Sequence, residues 1–250
     1  MQTNYKSDSR AEHEIIHGKN LANSDPELIW GWKTPAGNHR AQRRAALIAA
    51  GASLSPDKYV LEIGCGTGIF TEFFARTGAR IVAVDISGDL LDLARKKNLS
   101  PSQVQFLEKR FEDCDKIGPF DAIVGSSVLH HLDIKPALAT IFDLLKPGGL
   151  MSFAEPNMLN PQVALHKKIP WIQKRMGDSP DETAFFRRQL DKILSASGFS
   201  EIKINPFDWL HPATPSRLIE MVEKIGLLLE KIPLLRQFSG SLHIVAHKPN

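Results

Sequence analysis

The chain has 250 residues, a net charge of +3 and only two cysteines, so it has neither a disulfide framework nor a metal-binding cysteine spacing. Apolar residues make up 42% of it and charged residues 24%, as in an ordinary globular domain. The N-terminal stretch MQTNYKSDSRAEHEI is polar, and no apolar run reaches membrane-spanning length. We therefore expect no secretory signal, no transmembrane segment, no metal site and a cytoplasmic location.

The N-terminal part of the chain divides into two predicted segments. Residues 1–24 are expected to be a flexible lead, because they are polar and without clear periodicity. Residues 25–55 are expected to form a cap, with a helix from about Ala36 to Gly51. Residues 56–250 then make up the main domain.

The middle of the chain alternates short apolar runs with amphipathic segments. The predicted strands are YVLEI (59–63), RIVAVD (80–85), VQFLE (104–108), FDAIVG (120–125), GLMSFAEP (149–156), EIKINPF (201–207) and SLHIVAHK (241–248). The helices predicted between them are IFTEFFARTG, GDLLDLARKKN with Ser87 as its N-cap, and KPALATIFDLL. This alternation predicts an α/β fold whose parallel sheet is covered on both faces.

Two inserts interrupt the pattern after the fifth strand, at residues 156–178 and 207–240. The capping box Ser179-Pro180-Asp181-Glu182 predicts a helix that runs to about Ser197. We expect the inserts and the N-terminal cap to shape the pocket of a substrate.

A helix in the second insert is predicted to begin at Thr214-Pro215 and to place apolar residues on one face. These residues are Leu218, Val222, Ile225, Leu229 and Ile232. Packing in the core is the favoured interpretation. A wall for an apolar substrate and a membrane-contacting surface stay open as alternatives, because basic residues flank the helix.

A glycine-rich turn, VLEIGCGTGIF, joins the first predicted strand to the first helix of the main domain. Glycines at 64, 66 and 68 let a ligand approach the backbone, and the free N–H groups of the helix add to the site. Asp85 ends the next strand, at the distance where a carboxylate meets ribose hydroxyls. The spacing is GxGxG rather than the dinucleotide GxGxxG, and Glu62 precedes it. A carboxylate disfavours pyrophosphate and favours a cationic ligand such as S-adenosylmethionine.

The chain resembles the class I methyltransferases that use S-adenosylmethionine (SAM), particularly the small-molecule branch that includes quinone C-methyltransferases. The resemblance runs from about Tyr59 to Pro156. The motifs that carry it are ExGxGxG (62–68), VDIS (84–87), FDAIVGSSVLHHL (120–132) and LLKPGGL (144–150). It implies a Rossmann-like, doubly wound seven-stranded sheet with the last strand antiparallel, SAM as methyl donor and S-adenosylhomocysteine as product.

The resemblance also implies a set of cofactor contacts. They are Glu62, Gly64, Cys65, Gly66, Gly68, Asp85, Ile86, Arg110, Phe111 and Ser126. The chain departs from the family after its third strand, where Lys109 and Arg110 replace a glycine-aspartate pair whose carboxylate holds the adenine amino group. Phe111 could lie against the adenine, and Glu112 or a backbone group could take the amino group.

Candidate catalytic and substrate residues follow the fourth and fifth strands. His131 is the candidate proton acceptor, a task that suits imidazole near neutral pH. The alternative is that one of the two histidines packs on the sheet and the other bonds a loop. Residues predicted to contact the substrate are His130, Glu155, Asn157 and Arg40. Glu155 and Asn157 could equally belong to an ordinary strand exit.

We therefore predict methyl transfer to a small-molecule or lipid-like acceptor, through oxygen, nitrogen or carbon. Three alternatives remain: a SAM-binding protein without turnover, an RNA methyltransferase and an NAD-dependent oxidoreductase. Nucleic acid is disfavoured, because GSSV stands after the fourth strand where amino-group methyltransferases of nucleic acids carry [DNS]PP[YF]. Peripheral contact with a membrane and the oligomeric state are left open.

Overall fold

A computed structural model describes residues 3–168 and 184–250. Within them, seven strands form one sheet in the order β3-β2-β1-β4-β5-β7-β6. The strands are β1 (Tyr59–Ile63), β2 (Arg80–Asp85), β3 (Val104–Glu108), β4 (Phe120–Ser126), β5 (Leu145–Pro156), β6 (Ser200–Phe207) and β7 (Ser241–His247). Strands β1 to β5 pair in parallel, whereas β7 lies antiparallel between β5 and β6. The predicted Rossmann-like sheet with an antiparallel last strand is confirmed.

Helices lie between the strands and before the first of them. They are α1 (Thr3–Ala22), α2 (Pro26–Ile29), α3 (Pro35–Gly51), α4 (Ile69–Ala75), α5 (Gly88–Arg95), α6 (Ile134–Leu144), α7 (Pro161–Lys168), α8 (Arg187–Ala196) and α9 (Ile219–Leu229). Short 3-10 turns cover Phe111–Lys116, Leu129–His131, Ser216–Leu218 and Leu235–Phe238. The predicted capping box at 179–182 lies outside the described residues.

The central strands bury both of their faces, as near-continuous apolar runs require. In β1, the side chain of Val60 belongs to a cluster with Ile48 and Phe74 from helices α3 and α4. The next residue, Leu61, belongs to the opposite cluster, which includes Ile141 of α6. Burying such a side chain stabilises the fold by about 1.5–3 kcal/mol. The sheet is therefore a rigid base for groups at its carboxyl edge.

Helix starts follow the predicted capping chemistry. The Ser87 hydroxyl accepts a hydrogen bond from the Leu90 N–H at 3.3 Å and begins α5, as predicted. Thr34 caps α3 by accepting from the Gly37 N–H at 3.0 Å, with proline at the first helical position. Both caps supply partners for N–H groups that a helix start leaves unpaired.

The N-terminal lead is not the flexible segment that its composition predicts. Residues Thr3–Ala22 form helix α1, which packs against α5. A Cβ on Gly18 would lie 2.4 Å from the Ser87 hydroxyl, so glycine allows the two helices to meet. The helix was missed because its few apolar residues form no regular stripe, and its order comes from tertiary packing rather than propensity.

The helix of the second insert buries only part of the face that its periodicity predicts. Val222 is half-buried and packs against the cluster of Ala36, Leu210 and Ile219, as core packing requires. Ile225 and Ile232, in contrast, are 47% and 45% exposed, so the prediction of core packing fails for the other edge of this face. No helix in the described part of the chain is long and apolar enough to cross a membrane.

Candidate active site

The glycine loop lies at the carboxyl end of β1, and each glycine has a positive φ angle: 65° at Gly64, 52° at Gly66 and 74° at Gly68. A Cβ on Gly64 would lie 2.4 Å from Val128, and a Cβ on Gly68 would lie 3.0 Å from that of Ala94. Both positions therefore need glycine for close packing within the protein as well as for backbone conformation.

The middle glycine faces the N-terminal cap. A Cβ on Gly66 would lie 3.5 Å from the indole ring of Trp30, which is an ordinary contact distance. Nearby, Glu27 accepts a hydrogen bond from the Thr67 hydroxyl at 2.9 Å and lies 3.2 Å from the Lys97 ammonium group. The cap is thus attached to the glycine loop by both packing and charge.

Asp85 and the glycine loop are held together, as predicted from the adjacent parallel strands. One carboxylate oxygen of Asp85 accepts from the Gly66 N–H at 2.7 Å, and the other accepts from the Ser87 N–H at 2.9 Å. Burial raises the pKa of Asp85, while these two backbone hydrogen bonds oppose the rise. Each oxygen retains a further lone pair, so the carboxylate can also accept from a ligand's hydroxyls.

A cavity of about 1040 Å³ opens beside this carboxylate. Its lining includes nine of the predicted site residues, namely Gly64, Cys65, Gly66, Asp85, Ile86, Phe111, Ser126, His130 and His131. Helix α1, the cap and the first insert supply further walls through Glu14, Trp30, Val163 and Lys167. No lining residue comes from 207–240, so the second insert does not form the pocket wall that we expected of it.

Only some of the residues after β3 that were predicted to contact the cofactor line the cavity. Lys109, Phe111 and Glu112 line the cavity, but Arg110 does not. The guanidinium group of Arg110 lies 4.0 Å from the Glu112 carboxylate. Phe111 is 5% exposed and packs mainly in the core. Glu112 is therefore the carboxylate on this wall.

Glu62 does not face the cavity, although its position in the loop motif suggests a contact with the ligand. It is 2% exposed and does not line the cavity, and its Oε2 atom has no hydrogen-bond partner among the described residues. Burial raises its pKa to about 8, and the nearby charge of Asp85 adds to the rise. Burial therefore favours the protonated form of Glu62 and keeps it away from the cavity, so the structure does not support a direct contact between this carboxylate and a cationic ligand.

We expect the pH dependence of stability to reveal this buried acid. Unfolded glutamate titrates near pH 4.3, so between there and about pH 8 the folded chain holds a proton that the unfolded chain has lost. Stability therefore falls as pH rises through this window, by on the order of 1.4 kcal/mol per pKa unit. Glu62→Gln should abolish that loss and be a few kcal/mol more stable than the parent above pH 8, but similar at the acid end. Urea unfolding across the pH range measures it.

The matched control is Glu72→Gln, on the surface of α4, where the carboxylate pairs with Arg76. Its stability should follow that of the parent at every pH. Parallel stability profiles for Glu62→Gln and the parent would contradict the assignment of a buried, protonated Glu62.

The two histidines after β4 have separate environments. His130 is 4% exposed, and its Nδ1 lies 2.6 Å from Oε2 of Glu155. His131 lines the cavity, and its Nδ1 lies 3.1 Å from Oε1 of Glu14 on helix α1. The two rings lie 4.3 Å apart between centroids. Both histidines line the cavity, but His130 is almost fully buried and its Nδ1 is bonded to Glu155 of the strand exit, whereas His131 is more exposed and has the carboxylate of Glu14 beside it.

Glu155 and Asn157, predicted as substrate contacts, are both fully buried and outside the cavity lining. Glu155 accepts from the N–H groups of Val128 and Leu129 at 3.0 and 2.9 Å. Burial alone would raise the pKa of Glu155, but the His130 hydrogen bond and these amides hold it below its usual value. The prediction of substrate contact is wrong for both residues, because their polar groups bond the adjoining loops.

Asn157 shows the same pattern. Its Nδ2 donates to the carbonyl oxygens of Gln237 and Ser239 at 2.8 and 2.7 Å. It therefore fixes the start of the first insert to the end of the second.

Arg40 also meets a carboxylate, but it is one of the protein's own. Its Nε donates to Oδ2 of Asp208 at 2.9 Å, and its guanidinium lies over the ring of Trp32 at 5.3 Å. The pair connects α3 to the segment after β6. The prediction that Arg40 binds the carboxylate of a cofactor or substrate is therefore wrong.

Arg44 supports the site through hydrogen bonds to three serines, a role that was not predicted from the sequence. It is 3% exposed and donates to the hydroxyl of Ser127 at 2.9 Å, to Ser126 at 3.2 Å and to the hydroxyl of Ser241. Burial lowers its pKa to about 10, so it stays charged near neutral pH. Ser127 has a positive φ of 56°, and Arg44 thus holds the turn that leads to His131.

Helix α1 was missed as a cavity wall as well. Ala11, Glu14, Gly18 and Leu21 all line the cavity. Their spacing of three and four residues places them on one helical face. That spacing was the only sign in the sequence that these residues share a face. Because they are small, charged and apolar in turn, they do not form the apolar stripe by which a buried helical face is recognised.

Comparisons with known proteins agree with this geometry. Residues 60–149 match the family model described as a methyltransferase domain. A ubiquinone biosynthesis O-methyltransferase from Xanthomonas campestris pv. campestris (strain B100) is 35% identical over 118 residues, which cover 46% of this chain and 49% of that protein. The chain thus spans about half the length of the curated relatives it matches.

Solved structures share the fold. The N-methyltransferase NodS from Bradyrhizobium japonicum WM9, in complex with S-adenosyl-L-homocysteine, is 18% identical with a TM-score of 0.63, covering 94% of this chain and 98% of that one. The [4+2]-cyclase SpnF is 20% identical with a TM-score of 0.58, covering 83% and 80%. At these identities the likeness concerns the fold, and the second case shows that the fold is shared by proteins with differently named activities.

The family model covers the segment that carries the glycine loop and Asp85. The relatives are named O-methyltransferases, a different branch of quinone chemistry from the C-methyltransferases that the motifs suggested. Residues 60–149 thus match a methyltransferase domain, and about half of the chain is similar to O-methyltransferases of ubiquinone biosynthesis.

Proposed function

We propose that the protein is a SAM-dependent methyltransferase that methylates a small or lipid-like acceptor. The observation that carries the proposal is one cavity in which the glycine loop and the Asp85 carboxylate meet His131. Its volume of about 1040 Å³ leaves room for a donor and an acceptor side by side.

The residues present fit SAM. Asp85 has free lone pairs for the ribose hydroxyls, at the end of the strand next to the loop. Ile86 and Phe111 give the neighbouring wall apolar surface for a flat base, and Glu112 is the nearby acceptor for an amino group. This part of the lining carries the carboxylates of Asp85 and Glu112, which would repel phosphate groups. It therefore suits a nucleoside without phosphates.

When bound, SAM supplies an electrophilic methyl group on a cationic sulfur. The contribution of the protein is mainly alignment, since well-oriented reacting pairs reach effective molarities on the order of 10⁵ M or more. Trp30 over the loop and helix α1 along the cavity cover the site and reduce its contact with water. Arg44 and Glu155 hold the turn between β4 and His131 in one conformation.

His131 is proposed to accept the acceptor's proton. If Nδ1 donates its hydrogen to Glu14 at 3.1 Å, Nε2 is the unprotonated nitrogen of the neutral ring and can take a proton. An oxygen of the acceptor would take the methyl group as the bond between that group and the donor sulfur breaks, with S-adenosylhomocysteine as the leaving group, and the acceptor's O–H proton would pass to Nε2 of His131. Glu14 stabilises the imidazolium that results.

We propose a ring hydroxyl of a quinol-like compound as the acceptor. Support comes from the relatives named ubiquinone biosynthesis O-methyltransferases, which match about half of this chain. It also comes from the apolar part of the lining away from Asp85, to which Leu132, Ile134, Val163 and Phe185 contribute. A ring with an apolar tail would bury against these side chains.

The test has two stages. Calorimetric titration of the full chain with SAM, S-adenosylhomocysteine and NADH should show binding of the first two only. Incubation with SAM and separate catechol, phenol, amine and carbon-acid acceptors should then give a methylated product for a catechol or phenol, detected by mass spectrometry. Binding of SAM with no product from any class would support a SAM-binding protein without turnover. Preferential binding of NADH would overturn the proposal.

A further inference from the structure

We propose that the second insert docks on the surface of an anionic lipid bilayer. The contact is made by an apolar surface of α9 and the turn after it, which we define as Ile225, Leu227, Leu228, Ile232, Leu234 and Phe238. All six are more than a third exposed, and Leu228 and Leu234 reach 60% and 72%. Several large apolar side chains exposed within one short segment are a feature of interaction sites.

The described parts of the chain leave this apolar surface exposed. Helix α9 contacts the body through Ile219 and through Gly226, where a Cβ would lie 3.0 Å from that of Trp209. That close contact uses the smallest residue of the helix, whereas Ile225, Leu227 and Leu228 are exposed. Because no cavity-lining residue comes from this segment, an acceptor inside the protein does not cover the apolar surface either.

The charges around the apolar surface favour an anionic partner. The acidic Glu230 is bound by both guanidinium nitrogens of Arg43, at 2.9 and 2.5 Å, and Glu223 lies 3.2 Å from His39. Glu230 is thus paired with an arginine of α3, and Glu223 contacts a histidine of the same helix. Lys224 and Lys231, in contrast, are exposed.

Two further charged residues belong to the same part of the second insert. Arg217 is exposed, and Glu220 is an exposed acid at 3.9 Å from Lys224. The outward charges are therefore Arg217, Lys224 and Lys231 against Glu220. Basic residues beside an apolar helical face are the pattern of helices that lie in the interface of an anionic membrane.

A bilayer fits this pattern better than a second copy of the chain. A two-fold interface pairs the same patch on both subunits. Each copy would present the same excess of exposed positive charge, since Arg217, Lys224 and Lys231 outnumber Glu220, and this like charge would oppose association. Phosphate head groups supply the opposite charge to the same residues.

The apolar surface adjoins the first insert, which lines the cavity. Asn160, just before α7, donates to the carbonyl oxygen of Phe238 at 2.8 Å. Val163 and Lys167 of α7 line the cavity, and Leu165 of the same helix is 52% exposed. A bilayer against the apolar surface would therefore lie next to a wall of the cavity. Docking itself does not depend on methyl transfer.

Vesicle co-sedimentation of the full chain tests the proposal. The chain should sediment with vesicles of an equal mixture of phosphatidylcholine and phosphatidylglycerol, and more weakly with pure phosphatidylcholine. Leu228→Ser/Leu234→Ser should weaken binding to the mixed vesicles by roughly tenfold or more, because it removes the two most exposed leucines. Lys224→Glu/Lys231→Glu should remove the preference for phosphatidylglycerol.

Two controls make the result specific. Ile15→Ser/Ile16→Ser removes two exposed apolar residues from α1, 43% and 58% exposed, and should bind as the parent does. Asp85→Ala should also bind as the parent does, so that loss of SAM binding and loss of docking are separable. Absence of parent binding to both vesicle types would overturn the proposal. So would a dimer in analytical ultracentrifugation that Leu228→Ser/Leu234→Ser dissociates, because a second copy would then cover the apolar surface.

Discussion

Asp85→Ala should weaken binding of SAM and S-adenosylhomocysteine by roughly 10- to 100-fold. A hydrogen bond to a charged group contributes about 1.5–3 kcal/mol, and each 1.4 kcal/mol is a factor of ten in affinity. The carboxylate also holds the Gly66 N–H at 2.7 Å, so the alanine variant loses part of the loop's support as well. Isothermal titration calorimetry with S-adenosylhomocysteine measures the effect.

Two companion variants separate the ligand contact from the loop contact. Asp85→Asn keeps a carbonyl oxygen that can accept from Gly66, but it lacks the charge, so its affinity should lie between those of the alanine variant and the parent. Asp92→Ala removes an exposed aspartate of α5 that pairs with Arg95 and should leave affinity unchanged. Parent-like affinity of Asp85→Ala, with its thermal unfolding also parent-like, would place the donor elsewhere.

The pH dependence of binding should follow the same carboxylate. Burial raises the pKa of Asp85 above its ordinary value. Protonation removes the charged acceptor, so affinity should fall on acidification, and the fall should begin at a higher pH than for an exposed aspartate. Calorimetry of the parent and Asp85→Asn over the acid range compares the two, since the asparagine variant lacks this titration.

His131→Ala should lower kcat by roughly 10²- to 10⁴-fold, the range typical of a lost general base. SAM affinity should change far less, because the proposed contact of His131 is with the acceptor. Glu14→Gln should lower kcat by a smaller factor, because the ring keeps its place but loses the charge that stabilises its protonated form. Steady-state kinetics with the acceptor found in the product screen, together with calorimetry for SAM, gives both quantities.

A remote pair serves as the control for His131. His247 lies 3.8 Å from Glu201 at the edge of the sheet, and His247→Ala should leave kcat unchanged. If His131→Ala kept the parent kcat, methyl transfer would rely on alignment alone and the proposed base would be lost. If it reduced SAM affinity and kcat by equal factors, His131 would be a cofactor contact instead.

The sequence alone determined the sheet, the glycine loop and the position of Asp85. Buried strands, glycine turns and N-caps are set by residues close together in the chain, and parallel neighbours place their carboxyl ends at one edge. For that reason the loop, Asp85, Ile86 and the turn with His131 were found in the right order. The family resemblance added the identity of the donor. The residue-based argument for a cationic ligand relied on Glu62, and the burial of that side chain does not support it.

Only the tertiary structure decided what each polar side chain meets. Glu14 lies 117 residues from His131, and Arg40 lies 168 from Asp208, so no local pattern could pair them. Glu155 and Asn157 stand at the functional edge of the sheet, yet packing turns them into supports for neighbouring loops. The periodicity of α9 marks an apolar face, but whether that face meets the core or solvent depends on where the helix sits, and this is set by the close contact of Gly226 with Trp209.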